Sequence, residues 1–187
     1  AFVNTLAAPV GALVSWVVYE KLAHGKPTSI GAGSGAVAGL VAITPSCAYL
    51  DPIWALALGV VVGVVCAYAI ELKFVLGFDD SLDVVGVHLV GGIWGSLSVG
   101  FFGSQFVNSV GIDGLLYGGG SALLAKQALG VGVVAAYSFI VTLILGFIIE
   151  KTIGFRVSRD VEIEGIDLGE HAETAYEMSS SSRGGAF

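Results

Sequence analysis

The segment DDSLDVVGVHLVGGIWG, residues 79–95, changes abruptly from acidic to apolar. Its first five residues include three aspartates, and residues 84–103 contain no Asp, Glu, Lys or Arg. At ~1.5 Å per residue, such a run is about long enough to cross a ~30 Å hydrocarbon core as a helix. One ionisable side chain, His88, lies inside the run. The segment therefore predicts a transmembrane helix that carries a proton-binding group.

The composition of the whole chain supports this interpretation. Of its 187 residues 55% are apolar and 12% are charged, and the mean hydropathy is +0.88. A soluble domain carries about 25% charged residues, so this chain has too few to cover a surface that faces water. We therefore predict an all-α, polytopic transmembrane helix bundle of five spans, surrounded by membrane lipid. The pI of ≈ 4.7 gives no support for nucleic-acid binding. The other four uncharged runs are residues 2–19, 28–50, 53–70 and 127–149. Residues 43–52 contain two prolines, which predict the turn between the second and third spans.

The basic side chains are distributed unequally between the connecting segments. All lysines and arginines except Lys126 lie in three segments, residues 20–27, 71–83 and 150–187. Because basic loops face the cytoplasm, we expect these three in the cytoplasm of a plasma-membrane protein. Residues 51–52, residues 104–126 and the N-terminal Ala1 are then outside. The first span then enters from outside with no basic leader before it, which predicts that a longer protein contains this chain.

Small residues recur at every fourth position in three of the predicted spans. Such residues form a stripe along one helix face and let neighbouring backbones approach closely. We therefore expect a tightly packed bundle. The stripes are Gly31–Gly35–Gly39, Gly59–Gly63 and His88–Gly92–Ser96–Gly100.

His88 lies ~7–13 Å inside the membrane, depending on whether its helix begins at Asp83 or Asp79. Polar side chains at such depth usually face a bundle interior or a water-filled cavity, and desolvation disfavours the charged ring. A neutral imidazole has one donor and one acceptor, which suits a small polar molecule or a proton relay. An interhelical hydrogen bond is the structural alternative. No nucleophile motif and no second intramembrane ligand at a useful spacing accompany His88, so we expect no metal, no cofactor and no catalytic residues.

Three aspartates, Asp79, Asp80 and Asp83, precede this span. We interpret them as solvated carboxylates at a cytoplasmic helix start, where the helix dipole favours anions. Ser81 or Asp83 is the expected N-cap. A vestibule that attracts cations is the functional alternative.

Several segments, in order along the chain, resemble one known family. DDSLDVVGVHLVGG resembles the histidine-bearing penultimate span of the Amt/Mep/Rh ammonium transporters, in their bacterial Amt branch. AFVNTLAA and WVVYEKLAHGKPTSIGAGSGAVAGLVAITPSCAYLDP resemble the two preceding spans, and EKTIGFRVSRDVEIEGIDLGEHAETAY resembles the last span and the cytoplasmic tail. The resemblance implies eleven spans in two inverted halves and a homotrimer with one pore per subunit. Residues 1–155 would be spans seven to eleven, and residues 156–187 the tail.

For function, the resemblance implies transport of ammonium or ammonia through an apolar pore that contains a pair of histidines. His88 would be one of the pair, and Val84 would line the pore one turn away on the cytoplasmic side. The second histidine and the outer binding residues would lie upstream of this chain. An ammonium sensor with little flux is the alternative. A membrane enzyme with His88 as general base is disfavoured, because the spans offer no partner nucleophile.

The tail is a second candidate site. Residues 163–176 carry apolar side chains at spacings that suit docking against cytoplasmic loops, and we expect Gly165 and Asp167 to form a turn that caps a short helix. The resemblance implies contact with a neighbouring subunit and a PII-type signal-transduction protein as partner. The sequence His171-Ala172-Glu173 stands where many relatives have His-Gly-Glu. A disordered acidic tail is the alternative. The expected regulatory residues are Gly165, Asp167, His171, Glu173 and Tyr176.

Overall fold

The chain folds into helices joined by turns in the computed structural model, which describes residues 1–173. No strand occurs within this range, so the all-α prediction is confirmed for it. The elements are α1 Phe2–His24, α2 Ser29–Ile43, α3 Pro52–Ala69, α4 Leu72–Leu76, a π-helical turn Val84–Leu89 (the π-turn) continuous with α5 Val90–Phe102, a 3-10 turn Leu115–Tyr117, α6 Ala122–Thr152, α7 Arg159–Glu164 and α8 Ile166–His171.

Within the described residues, four helical segments have the length and apolar character needed to cross a membrane. They coincide with four of the five predicted runs. Three of the helical segments cover their whole run, and Val84–Phe102 ends one residue before the end of its run. The segments are Phe2–His24, Pro52–Leu76, Val84–Phe102 and Ala122–Thr152.

The predicted span at residues 28–50 contains a helix shorter than its uncharged run, and the turn predicted at residues 43–52 is confirmed for residues 44–49. Its helix, α2, has 15 residues and ends at Ile43. Pro45 follows, and proline has no N–H with which to continue the hydrogen-bond ladder of a helix. Residues 44–49 form turns instead. At ~1.5 Å per residue, α2 alone is too short for a ~30 Å hydrocarbon core.

The turn after α2 is nevertheless part of the protein interior. The Asn4 amide nitrogen donates to the carbonyl oxygens of Cys47 (2.9 Å) and Leu50 (2.6 Å). The Leu50 and Ser46 side chains are fully buried. These contacts satisfy backbone carbonyls that a helix would have satisfied internally, which lets a non-helical segment lie inside the bundle.

The helices α1, α2 and α3 form the centre of the packing, and glycine permits their close approach. A Cβ on Gly59 of α3 would lie 2.1 Å from the carbonyl oxygen of Ala8, and one on Gly39 of α2 would lie 2.6 Å from the Cα of Pro9. Any larger residue at these positions would force the backbones apart. The predicted packing role of the glycine stripes in α2 and α3 is therefore confirmed.

The stripe predicted for the histidine-bearing span is wrong by one position for most of its length. A Cβ on Gly95 would lie 2.0 Å from the carbonyl oxygen of Ala42, whereas one on Gly92 would meet nothing within 4 Å. The packed face therefore contains Gly91 and Gly95, and the face with His88 and Gly92 is open. The period of four is visible in the sequence, but the rotation of the helix about its axis is not.

The chain divides into two units, residues 1–135 and 136–187. No residue of α6 is buried. In the second unit, α7 begins at a Ser158 hydroxyl that accepts a hydrogen bond from the Val161 N–H. A Cβ on Gly169 of α8 would lie 2.7 Å from Cγ1 of Val161. The described part of the tail is thus built of two short helices in contact with each other.

Candidate functional site

The π-turn determines which way His88 faces. The N–H of Val90 bonds to the carbonyl oxygen of Val85, five residues earlier, instead of the usual four. Gly86 and Val87 are buried, and a Cβ on Gly86 would lie 2.6 Å from Cγ2 of Ile70. His88, the next residue, is exposed on another side of the turn. Single π-helical turns occur frequently at functional sites.

The carboxylate of Asp80 caps the π-turn. It accepts hydrogen bonds from the N–H groups of Val84 (2.7 Å) and Val85 (2.9 Å), two of the donors that a helix start leaves without partners. Asp83 stands at the N-cap position but its side chain makes no cap hydrogen bond. The expectation that Ser81 or Asp83 is the capping side chain is therefore wrong, because the loop bends back far enough to bring Asp80 over the helix end.

Asp83 has a different partner. The Nζ of Lys73, in α4, lies 2.6 Å from Oδ1 of Asp83 and donates a second hydrogen bond to the carbonyl oxygen of Asp80 at 3.0 Å. The Asp83 backbone has φ 57° and ψ 32°, the left-handed conformation that aspartate tolerates better than most residues. Asp79 belongs to the same loop and is exposed. Asp80 and Asp83 thus have specific structural partners, which the sequence interpretation as solvated carboxylates did not predict.

An open cleft of about 190 Å³ lies beside the π-turn. It brings together two of the predicted site residues, His88 and Asp83. Ser34, from the GAGSG segment of α2, is a polar residue of the cleft that the sequence analysis missed. The only feature of the sequence that could have indicated Ser34 is its hydroxyl group within a run of small residues. The lining residues are Ser34, Val37, Leu82, Asp83, Val87 and His88.

Val84 is not among the residues that line this cleft. It lies in the same π-turn as His88 and its side chain is half-exposed. Its expected contact with a pore therefore stays a prediction.

The predicted tail residues belong to the second unit. Gly165 separates α7 from α8 with φ 109°. Asp167 lies inside the first turn of α8 and provides no side-chain cap, so the expectation that it caps the helix is wrong. His171 is the last residue of α8, and the Glu173 N–H donates to the carbonyl oxygen of Asp167 at 3.0 Å. Tyr176 lies outside the described residues.

The chemistry available at the cleft is that of one imidazole, one hydroxyl and one carboxylate–ammonium pair. Over residues 1–173, no group of three or more His, Cys, Asp or Glu side chains could hold a metal ion. Cys47 and Cys66 are free thiols. The cleft is therefore suited to reversible contact with a small polar molecule that can donate or accept a hydrogen bond.

Comparison with known proteins gives consistent matches. Residues 1–176 match the Ammonium Transporter Family. An ammonium transporter of Mycobacterium bovis is 52% identical over 186 residues, which cover 97% of this chain and 39% of that protein. The crystal structure of Saccharomyces cerevisiae Mep2 has a TM-score of 0.82 at 31% identity and covers 96% of this chain and 41% of its own. A solved sensor Amt protein has a TM-score of 0.79 at 29% identity, over 90% of this chain and 40% of its own. The chain spans about two fifths of the length of these relatives.

Proposed function

The chain belongs to the ammonium transporter family, and from this premise we propose that it forms part of a membrane transporter that conducts ammonium or ammonia. In this proposal His88 contacts the substrate inside an apolar pore and Val84 lines the pore nearby. In this proposal the protein acts as a transporter and not as an enzyme.

The observation that carries the proposal is the exposure of His88 at an open cleft. A histidine that only joined two helices would be buried in their contact, with its ring nitrogens bonded to the neighbouring helix. Here the adjacent residues Gly86 and Val87 make the packing contacts and His88 does not. This arrangement favours a role toward solvent or substrate over a hydrogen bond to another helix of residues 1–173.

The physical problem at such a pore is the hydration of the ion. An ammonium ion loses much more solvation free energy than neutral ammonia when it enters an apolar passage. A pore lined by apolar side chains therefore favours removal of the proton before passage. A neutral imidazole can then accept a hydrogen bond from the ammonia that remains, or donate one to it. We propose that a second histidine from another part of the complete protein faces His88 across the pore.

The assembly and its regulation belong to the same proposal. We propose a homotrimer in the plasma membrane, with the N-terminal end of this chain outside and residues 156–187 in the cytoplasm. The tail residues Gly165, Asp167, His171 and Glu173 then belong to a regulatory segment that interacts with a neighbouring subunit and a PII-type protein. The helical order of α7 and α8 supports a role that needs a defined shape.

The proposal is tested by replacing His88 in the full-length protein. His88→Ala removes both hydrogen-bonding nitrogens, and a lost substrate hydrogen bond predicts an ammonium-dependent current that is lower by about tenfold. The current is measured on proteoliposomes after a rapid ammonium jump, and assembly is checked by gel filtration. His24→Ala is the matched control, because His24 lies at the end of α1 and contacts Glu71 instead of the cleft. Normal current and selectivity in His88→Ala would exclude the pore role.

An ammonium sensor is the second candidate function, and its support is the similarity to the solved sensor Amt protein. The same proteoliposomes distinguish the two. A transporter gives a saturable ammonium-dependent current, whereas a sensor binds ammonium with little or no current.

A further inference from the structure

The Lys73–Asp83 pair lies at the edge of the His88 cleft. Asp83 lines the cleft, whereas Lys73 comes from α4, ten residues earlier. Their side chains are 16% (Lys73) and 28% (Asp83) exposed, so the pair is partly desolvated but open to ions. The Lys73 Nζ is held by three contacts: Oδ1 of Asp83, the carbonyl oxygen of Asp80, and the ring of Phe74, whose centroid lies 5.3 Å away.

We propose that Lys73 is a positioning residue whose ammonium group occupies the Asp83 carboxylate and so prevents a transported cation from binding there. The inference rests on the proposed function, because ammonium must reach the cleft for the Asp83 carboxylate to attract it. The binding event itself can be measured without transport.

The argument begins with the similarity of the two cations. The ε-ammonium of lysine and a free ammonium or methylammonium ion offer the same N–H donors and the same charge to a carboxylate. A carboxylate that is only about a quarter exposed is attracted to such a cation more strongly than one in bulk water, because the surrounding dielectric is lower. If Lys73 were neutral, the carboxylate of Asp83 would therefore offer a cation site next to His88.

Conduction requires that a substrate leave each site as readily as it enters, so a tight site beside the pore slows turnover. Lys73 removes that site, and the Lys73–Asp83 pair has no net charge. The adjacent acid cannot take over this role, because the Asp80 carboxylate already bonds to the N–H groups of Val84 and Val85. The pair also links α4 to the π-turn. The alternative explanation is that Lys73 and Asp83 serve only as this structural link.

The experiment compares four forms of the full-length protein by equilibrium binding of methylammonium to purified protein. Lys73→Met removes the charge and keeps the apolar stem, and it should add a saturable site or tighten the apparent Kd by up to about fivefold, as expected for a pair worth up to ~1 kcal/mol. Lys73→Met with Asp83→Asn should lose that added binding. Lys73→Arg retains the charge and should not show the added methylammonium binding. Asparagine is chosen because it also tolerates the left-handed backbone at this position.

A structural link alone gives a different pattern. In that case Lys73→Met and the double variant lose thermal stability together, and neither gains methylammonium binding, which would overturn the inference. If Lys73→Met does not fold, Asp83→Asn alone tests the pair from the other side. It leaves an unpaired ammonium beside the cleft and should weaken methylammonium binding by about threefold, and unchanged binding would contradict the inference. Wild-type protein without ammonium current would contradict the proposed function but leave this binding comparison intact.

Discussion

Two non-glycine residues in the described part of the chain, Asp83 and Ala172, have a left-handed backbone. The free-energy cost of this conformation differs between them. Asp83 has a short polar side chain, the type that visits this region most readily, and its carboxylate is held by Lys73. Ala172 ends α8 with φ 53° and ψ 31° and has no such compensation. The backbone at this point has the conformation that glycine adopts without strain.

We expect Ala172→Gly to stabilise the end of α8. Removing the Cβ relieves the left-handed strain, and a change of about 0.5–1 kcal/mol should slow amide exchange of residues 166–171 by about two- to fivefold. Hydrogen exchange on the full-length protein measures this. The reverse substitution Gly165→Ala, at φ 109°, is the control and should speed exchange in the same segment. Equal exchange in wild type and Ala172→Gly would show that the tail's order does not depend on this turn.

At the scale of the elements, the same residue type has opposite consequences at different positions. Gly59 in α3 lies directly against the α1 backbone, whereas Gly33 in α2 has nothing within 4 Å of where a Cβ would be. Both are helix-interior glycines in apolar runs, so hydropathy and helix propensity treat them alike. Their different surroundings provide a matched test of the packing.

Gly59→Ala should destabilise the full-length protein by about 1–3 kcal/mol, because the added methyl group would lie 2.1 Å from the carbonyl oxygen of Ala8. The measurement is the thermal unfolding midpoint in detergent. Gly33→Ala should keep or slightly raise that midpoint, since alanine is the better helix former and meets no neighbour within the described chain. A similar loss of stability in both variants would mean that the glycines act through the helix itself and not through its packing.

At the scale of the whole molecule, much apolar surface is left without a partner from this chain. No residue of the long apolar helix α6 is buried. The matched relatives are about two and a half times as long as this chain, which covers 39–41% of them. We propose that other parts of the complete protein and the lipid cover this surface, and that the pore at His88 needs a second wall.

We therefore expect residues 1–187 alone to be inactive in transport. The cleft beside His88 is open, and a passage open along its side cannot separate ammonia from water or lipid. Uptake of labelled methylammonium into vesicles that contain only this segment should equal that of empty vesicles, while the full-length protein in the same lipid gives saturable uptake. Saturable uptake by the segment alone would contradict the need for a second wall.

The membrane class, the number of apolar runs and the family resemblance could all be read from the residues, because hydropathy and motif order are properties of the chain taken locally. His88 could be singled out for the same reason, since an ionisable ring in an uncharged run is visible without a fold. The burial of the turn after α2, the open face at Gly92 and the partners of Asp80 and Asp83 could not. Each of these depends on contacts between distant residues: Asn4 with the turn after α2, Gly95 with Ala42, and Lys73 with Asp83. A period of four predicts a stripe on a helix, but packing against a neighbouring helix selects which stripe is buried and which one faces the cleft.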